Sequence, residues 1–103
     1  MIRTPDIPAA TWGKMNRVFT AYPELTAVTL FGSRATGKAT PSSDFDLATY
    51  GITDHYRLGR LALDLEDLDI PQTCDVQDYE SIKYAPLKRH IDEFGIPIYR
   101  KGE

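Results

Sequence analysis

The chain has 103 residues, which is enough for one domain spanning residues 1–103. Its formal net charge of −3 argues against direct binding to nucleic acid, because such binding requires a basic face. The single cysteine, Cys74, excludes an internal disulfide, and no apolar run approaches the ~20 residues of a membrane span, so we expect a cytoplasmic protein that does not enter a membrane.

The first predicted element is a helix. Residues 1–7 are expected to form a short, loosely held lead-in, and Pro8 suits the first turn of the helix. Apolar side chains recur at helical spacing before Pro23 and predict its buried face: Trp12, Met15, Phe19 and Tyr22.

Two predicted strands come after this helix. Residues 26–31 (TAVTLF) are rich in β-branched and aromatic side chains, which favour a strand. After a loop, residues 44–50 (DFDLATY) alternate between polar and apolar and predict a second strand that ends at Gly51.

A second helix and a third strand come next. Thr53 or Asp54 is a suitable N-cap for the helix, which ends at Pro71. Its apolar face comprises Leu58, Leu61, Ala62, Leu65 and Leu68. Residues 73–77 (TCDVQ) predict a short strand, and residues 78–84 predict a turn or a short helix.

The last helix is predicted to begin at Pro86 and to have Gly95 as its C-cap, with Leu87, Ile91 and Phe94 on its buried face. Residues 96–99 (IPIY) predict a terminal edge strand, because proline cannot donate to a central ladder. The order α-β-β-α-β-α-β indicates an α/β (α+β) fold, a small mixed sheet with helices mainly on one face.

Residues 32–46, GSRATGKATPSSDFD, are the chemically informative stretch. Side chains at i and i+2 of a strand point the same way, so Asp44 and Asp46 project together while Phe45 points to the opposite face. Two such close carboxylates favour a cation between them, and a hard divalent ion such as Mg²⁺ prefers oxygen ligands. The Gly32-Ser33 turn offers N–H groups and a hydroxyl for a phosphate. A metal site beside a phosphate site predicts phosphoryl or nucleotidyl transfer.

A third carboxylate would complete a site for two Mg²⁺ ions. Asp75 is the preferred candidate, because the strand that carries it should lie beside residues 44–50 after a helical crossover. Asp78 is the competitor, but it falls at the strand end, where it is suited to capping the next turn of the chain. His55 and His90 lack the clustering of a zinc site and are expected at a helix start and facing solvent.

The same residues resemble a known signature. Gly-Ser, a spacer of about ten residues, Asp-x-Asp and a third Asp on a later strand are similar to the DNA-polymerase-β-like nucleotidyltransferase superfamily. GSRATGKATPSSDFDLA, with the ending IDEFGIPIY, resembles its minimal nucleotidyltransferase (MNT) group, whose members are often encoded beside a helical HEPN partner.

The resemblance implies a nucleotidyltransferase-like fold and a role for each matching residue. Gly32 would allow the backbone to approach the triphosphate of ATP, and Ser33 would bind a terminal phosphate oxygen. Asp44 and Asp46 would hold the metal ions, with Asp75 assisting activation of the attacking hydroxyl. Positive charge near the phosphates would come from Arg34 and Lys38.

The resemblance also implies a function, and two alternatives stay open. An MNT antitoxin would transfer AMP from ATP to a tyrosine of a HEPN toxin and silence it. A catalytically silent antitoxin would instead neutralise its partner by binding alone. A small-molecule transferase of the aminoglycoside type is the third reading, although such enzymes usually need a further domain to hold the acceptor.

Overall fold

A computed structural model describes residues 5–102, and residues 1–4 of the predicted lead-in lie outside this range. The order of the long helices and strands is the predicted one, with one added short helix after the first strand. The helices are α1 (Ala9–Thr20), α2 (Ser33–Thr36), α3 (His55–Glu66) and α4 (Ala85–Phe94), and a 3₁₀ turn occupies Tyr79–Ser81. The strands are β1 (Ala27–Phe31), β2 (Phe45–Tyr50), β3 (Cys74–Asp78) and β4 (Ile96–Arg100).

The strands form one four-stranded mixed sheet in the order β3-β2-β1-β4. β1 pairs antiparallel with both β2 and β4, whereas β2 and β3 are parallel. Parallel neighbours require a crossover, which α3 provides between β2 and β3. The predicted mixed sheet is therefore confirmed, and the crossover brings β3 beside the Asp-x-Asp strand.

The larger core lies between the sheet and helices α1 and α3. Alternation along the strands directs Val28 and Leu30 of β1 and Phe45 and Leu47 of β2 to this face, where all four are fully buried. Ile7 is also buried in this core, so the end of the lead-in is held rather than loose.

The helix α3 begins after Asp54, whose carboxylate accepts from the Tyr56 N–H at 2.9 Å. This contact satisfies one of the N–H groups that the first turn of a helix leaves without a partner, and it selects Asp54 over Thr53 as the cap.

The opposite face of the sheet is covered by α4 and the 3₁₀ turn. A smaller cluster of Phe31, Ala48 and Ile91 anchors α4 there, with Tyr50, Tyr79, Ile82 and Leu87 packed around it. Asp46 belongs to this second face, because it alternates with the buried Phe45 and Leu47. The candidate site therefore lies on the face that α4 shares.

β4 is an edge strand, as predicted. Pro97 lies within it, and the pairing with β1 shifts register between Val28 and Thr29. The Trp12 indole of α1 donates to the Ile98 carbonyl of β4 at 3.2 Å, which ties this edge to the first helix.

No helix within residues 5–102 is both long enough and apolar enough to cross a bilayer.

Candidate active site

Asp46 and Asp75 are direct neighbours across two parallel strands. The register of β2 with β3 pairs Asp46 with Asp75, so both side chains project from the same face of the sheet. Asp46 is half-buried, whereas Asp75 is exposed on the edge strand. The chain thus brings together two carboxylates that come from separate segments.

Asp44 stands immediately before β2 and is held from the neighbouring connection. The Thr73 hydroxyl donates to Asp44 Oδ1 at 2.6 Å, and the Thr73 backbone N–H lies 3.4 Å from the same oxygen. The Phe45 N–H donates to the Thr73 carbonyl at 2.9 Å. These contacts fix the start of β2, which follows Asp44, against the start of β3, which carries Asp75.

The electrostatic environment of Asp46 is that of a crowded carboxylate. Burial raises its pKa from the ordinary value of 3.8, and the negative charges of Asp75 and Asp44 raise it further, while His90 acts in the opposite direction. The charges of the three carboxylates therefore oppose one another, and a nearby cation would favour the ionised form of Asp46.

The Gly32-Ser33 turn lies directly against Asp46. Gly32 has φ +76°, which favours glycine, and a Cβ atom at this position would overlap the Asp46 carboxylate. Ser33 is the first residue of α2, and the short helix is closed by Gly37 in the left-handed conformation. Glycine at position 32 is thus required both by the backbone and by the close approach of the metal-ligand candidate.

Arg34 is buried and is not available to a ligand at the Gly32-Ser33 turn. Its side chain is 4 % exposed, and its guanidinium lies over the Phe45 ring at 4.3 Å. It donates to four backbone carbonyls at 2.9–3.3 Å, those of Asp6, Thr40, Pro41 and Ser43. This placement argues against the predicted phosphate contact of Arg34, because its donors already hold the loop that leads to Asp44.

Lys38 differs from Arg34 in its setting. It is exposed in the loop after α2, and its backbone N–H donates to the Ser33 carbonyl at 3.0 Å. The contact of its ammonium group with a phosphate stays a prediction.

Asp78 has the capping role that its position suggested. Its carboxylate accepts from the Glu80 N–H at 3.3 Å and from the Ser81 hydroxyl at 2.8 Å, at the start of the 3₁₀ turn. It also pairs with Thr49 rather than with Asp46. Of the two candidates, Asp75 alone stands beside Asp46.

His90 is a residue of this site that the sequence interpretation missed. The sequence predicts that it faces solvent, but it is half-buried on α4, and its Nε2 accepts from the Gly32 N–H at 3.0 Å. One of the turn's N–H groups is therefore engaged by α4 and is not directed at a phosphate. The available signal was spacing: His90 lies three residues after Leu87 and four before Phe94, on the apolar stripe.

The donor set fits a hard divalent cation. Asp44, Asp46 and Asp75 supply only carboxylate oxygens on one face, the ligands that Mg²⁺ prefers, and one of them is half-buried beside its neighbours. Within residues 5–102, however, no group of three or more potential ligands is arranged to hold a metal ion, so these carboxylates would have to move together to bind one. Mutual repulsion favours this spread arrangement.

Comparisons with known proteins agree with this geometry. The sequence profile of the family described as "Polymerase beta, Nucleotidyltransferase" matches residues 13–103. No curated protein matches the chain.

Solved structures of similar fold include three toxin–antitoxin structures. A toxin–antitoxin with AMP-PNP matches with a TM-score of 0.71 and 22% identity, covering 88% of this chain and 74% of the other. The toxin–antitoxin MntA–HepT gives 0.66 and 20%, covering 90% and 73%. A tri-AMPylated Shewanella oneidensis HEPN toxin in complex with MNT antitoxin gives 0.66 and 20%, covering 88% and 71%. At these identities the likeness is one of fold, and it confirms the predicted architecture.

Proposed function

Because the chain belongs to the polymerase β nucleotidyltransferase family, we propose that it transfers AMP from ATP to a hydroxyl group of a HEPN-type toxin and thereby acts as its antitoxin. The observation that carries this proposal is the pairing of Asp46 with Asp75 beside the Gly32 turn. Carboxylates next to a glycine turn that leads into a serine hydroxyl suit a metal-bound triphosphate better than a structural role on a sheet face.

The fold neighbours support the choice of partner. Several of them are toxin–antitoxin structures, one with AMP-PNP and one containing a tri-AMPylated HEPN toxin. For this chain we propose a HEPN-domain partner and a tyrosine as the acceptor. A tyrosine hydroxyl has an ordinary pKa near ~10, so at neutral pH it requires a base or a metal to attack efficiently.

The proposed reaction exchanges one phosphorus–oxygen bond for another. The acceptor oxygen attacks the α-phosphorus of ATP, the bond from that phosphorus to the bridging oxygen breaks, and pyrophosphate leaves. Asp44, Asp46 and Asp75 would hold Mg²⁺, which would neutralise phosphate charge and stabilise the attacking and leaving oxygens. The Ser33 hydroxyl would donate to a phosphate oxygen and orient the triphosphate.

Asp75 is the residue best placed to receive the proton of the acceptor. It is exposed on the edge strand β3, where a partner's side chain has access, whereas Asp46 is half-buried and Asp44 accepts from Thr73. A base must lie within hydrogen-bond reach of the hydroxyl it deprotonates, and among the residues that the structure describes Asp75 combines exposure with the absence of a side-chain contact like the one that ties the also exposed Asp44 to Thr73.

The test is mass spectrometry of the HEPN partner after incubation with ATP and Mg²⁺. The wild-type protein should add AMP to the partner, and Asp75→Asn should abolish the addition while retaining most of the affinity for ATP and for the partner. Apolar anchors dominate interface energies, so loss of one carboxylate should leave the complex intact.

Asp78→Asn is the matched control, since it makes the same chemical change three residues away. Asparagine caps a helical turn about as well as aspartate, so the fold should hold and transfer should persist. Full protection of cells by Asp75→Asn, with no modification of the partner, would establish the purely steric mode of neutralisation and refute the proposal.

A further inference from the structure

His90 connects α4 to the turn that is proposed to bind phosphate. Its Nε2 accepts the Gly32 N–H at 3.0 Å. Its ring lies near two aromatic side chains, with the centroid of Phe31 at 6.1 Å in an edge-on arrangement and that of Phe94 at 5.5 Å. The imidazole is therefore held by aromatic contacts, and its hydrogen bond is directed at the turn.

Gly32 is held between His90 and Asp46. On one side the Asp46 carboxylate fills the space that a Cβ atom would take, and on the other the imidazole engages the N–H. Gly32, at φ +76° and ψ −152°, leads directly into Ser33, so rotation of the Phe31–Gly32 peptide, which carries the Gly32 N–H, changes where Ser33 points. A hydrogen bond to the Gly32 N–H restrains that rotation.

The contact also specifies the chemical state of the ring. An imidazole nitrogen accepts a hydrogen bond only when it carries no proton, so this contact requires Nε2 of His90 to be unprotonated and leaves Nδ1 as the site of the ring proton. This state is observable by spectroscopy and does not depend on any activity.

We propose that His90 is a positioning residue for nucleotide binding: by accepting from the Gly32 N–H, it orients the Gly32-Ser33 turn towards the phosphates of ATP. This inference rests on the proposed function. Because Phe94 and Ile91 share α4 with His90, the same contact makes the position of α4 a determinant of ATP affinity.

Two substitutions separate the hydrogen bond from the ring packing. His90→Phe keeps an aromatic ring near Phe31 and Phe94 and removes the acceptor. His90→Gln removes the ring and offers an amide oxygen of similar reach. A hydrogen bond of ordinary strength corresponds to about a three- to tenfold change in an equilibrium constant.

We expect His90→Phe to raise the dissociation constant and the KM for MgATP by about that factor with kcat little changed, and His90→Gln to restore part of the loss. Arg89→Gln, at the exposed neighbouring position, should bind MgATP as the wild type does.

The measurements are calorimetry with MgATP, transfer kinetics with the HEPN partner, and long-range ¹H–¹⁵N spectra of the histidines in the ligand-free protein at a pH of about 8, where an ordinary imidazole is neutral. The spectra should show Nε2 of His90 without a proton and Nδ1 with one. A proton on Nε2 would overturn the inference whatever the binding data show, and this readout remains decisive if His90→Phe fails to fold.

The binding data distinguish two failures. If the wild-type protein binds MgATP and His90→Phe binds it equally well, the role of His90 is refuted and the proposed function stands. If the wild-type protein binds no MgATP, the proposed function fails and the role of His90 fails with it.

Discussion

The Asp46 carboxylate is half-buried beside two other acids and against the Gly32 backbone. Burying a charge near like charges costs free energy, so the fold retains Asp46 at the expense of its own stability. Such a cost is typical of a binding or catalytic residue, and it predicts that function and stability respond in opposite directions to its replacement.

Asp46→Asn should therefore reduce transfer to background while the melting temperature in EDTA stays the same or rises. The amide has nearly the shape of the carboxylate and removes the repulsion with Asp75 and Asp44. Thermal denaturation and the partner-labelling assay check the two halves. A large fall in melting temperature would show that Asp46 has a structural role.

Ser33→Ala should weaken transfer less than Asp46→Asn does. Loss of one donor to developing charge typically costs roughly 10²–10³ in rate, whereas loss of a metal ligand removes a cation as well as a contact. Single-turnover kinetics of both variants under the same conditions give the ranking, and the reverse order would contradict the assignment of this turn to phosphate.

Away from the site, Glu24 predicts how stability depends on pH. Arg57 donates to both of its carboxylate oxygens, at 2.6 and 3.2 Å, and this contact lowers the pKa of Glu24 from 4.5 to about 2. A lowered folded-state pKa contributes stability that is present above pH 4.5 and is lost as the pH falls towards 2. Both side chains are about one-third exposed, at 32% and 37%, so the effect should be modest.

Melting curves of wild type and Glu24→Gln from pH 2 to pH 6 should show a gap that is full above about 4.5 and closes on acidification. In an Arg57→Gln background the same substitution should change the melting temperature little, because the partner is already absent. A gap that persists at pH 2 would mean that the side chain acts through packing and not through its charge.

At the scale of elements, most of the fold was predictable because each strand and long helix has its own local pattern. Proline, glycine and aspartate mark their ends, and alternation in residues 44–50 separates the buried Phe45 from Asp46. The sequence predicts a loop where the helix α2 forms, since four residues carry no periodic signal. The partners of Arg34 were also out of reach, because a guanidinium that binds backbone carbonyls leaves no trace in side-chain identity.

Arg34→Lys tests the structural role of that side chain. The ammonium group of a lysine cannot donate to four carbonyls as the planar guanidinium does. Buried carbonyl groups that lose charged donors cost free energy, so we expect the unfolding free energy to fall by about 2–4 kcal/mol. Hydrogen exchange in residues 40–43 should accelerate. Lys38→Gln, at an exposed position of the same loop, should stay within about 0.5 kcal/mol of wild type. Equal stability and exchange in both variants would mean that Arg34 does not anchor the loop.

At the scale of the whole molecule, the candidate site draws on β1, β2, β3 and α4. Gly32 and His90 are 58 residues apart in sequence, and Asp46 meets Asp75 only through the α3 crossover. The Gly-Ser and Asp-x-Asp pattern predicted the residues around β1 and β2 because these residues lie close together in the sequence. The contact of His90 with Gly32 depends on how α4 docks on the sheet, which no local pattern encodes.

Binding of ATP should require a divalent cation, because the carboxylates repel a triphosphate unless a positive charge lies between them. Calorimetry should show clear binding with Mg²⁺ and little or none in EDTA. At a MgATP concentration of about 100 times Kd the unfolding free energy should rise by about 2.7 kcal/mol. Equal affinity in both conditions would exclude the cation-bridged arrangement.

The free edge of the sheet at β4 bears on how the protein behaves when it is concentrated. An open strand edge is a template on which further chains can add strands and aggregate. Along β4, Pro97 has no N–H to offer, the register shift beside Val28 bends the ladder, and Trp12 occupies the Ile98 carbonyl. An incoming strand would find an interrupted row of donors and acceptors, so the β4 edge is a poor template for the addition of further strands.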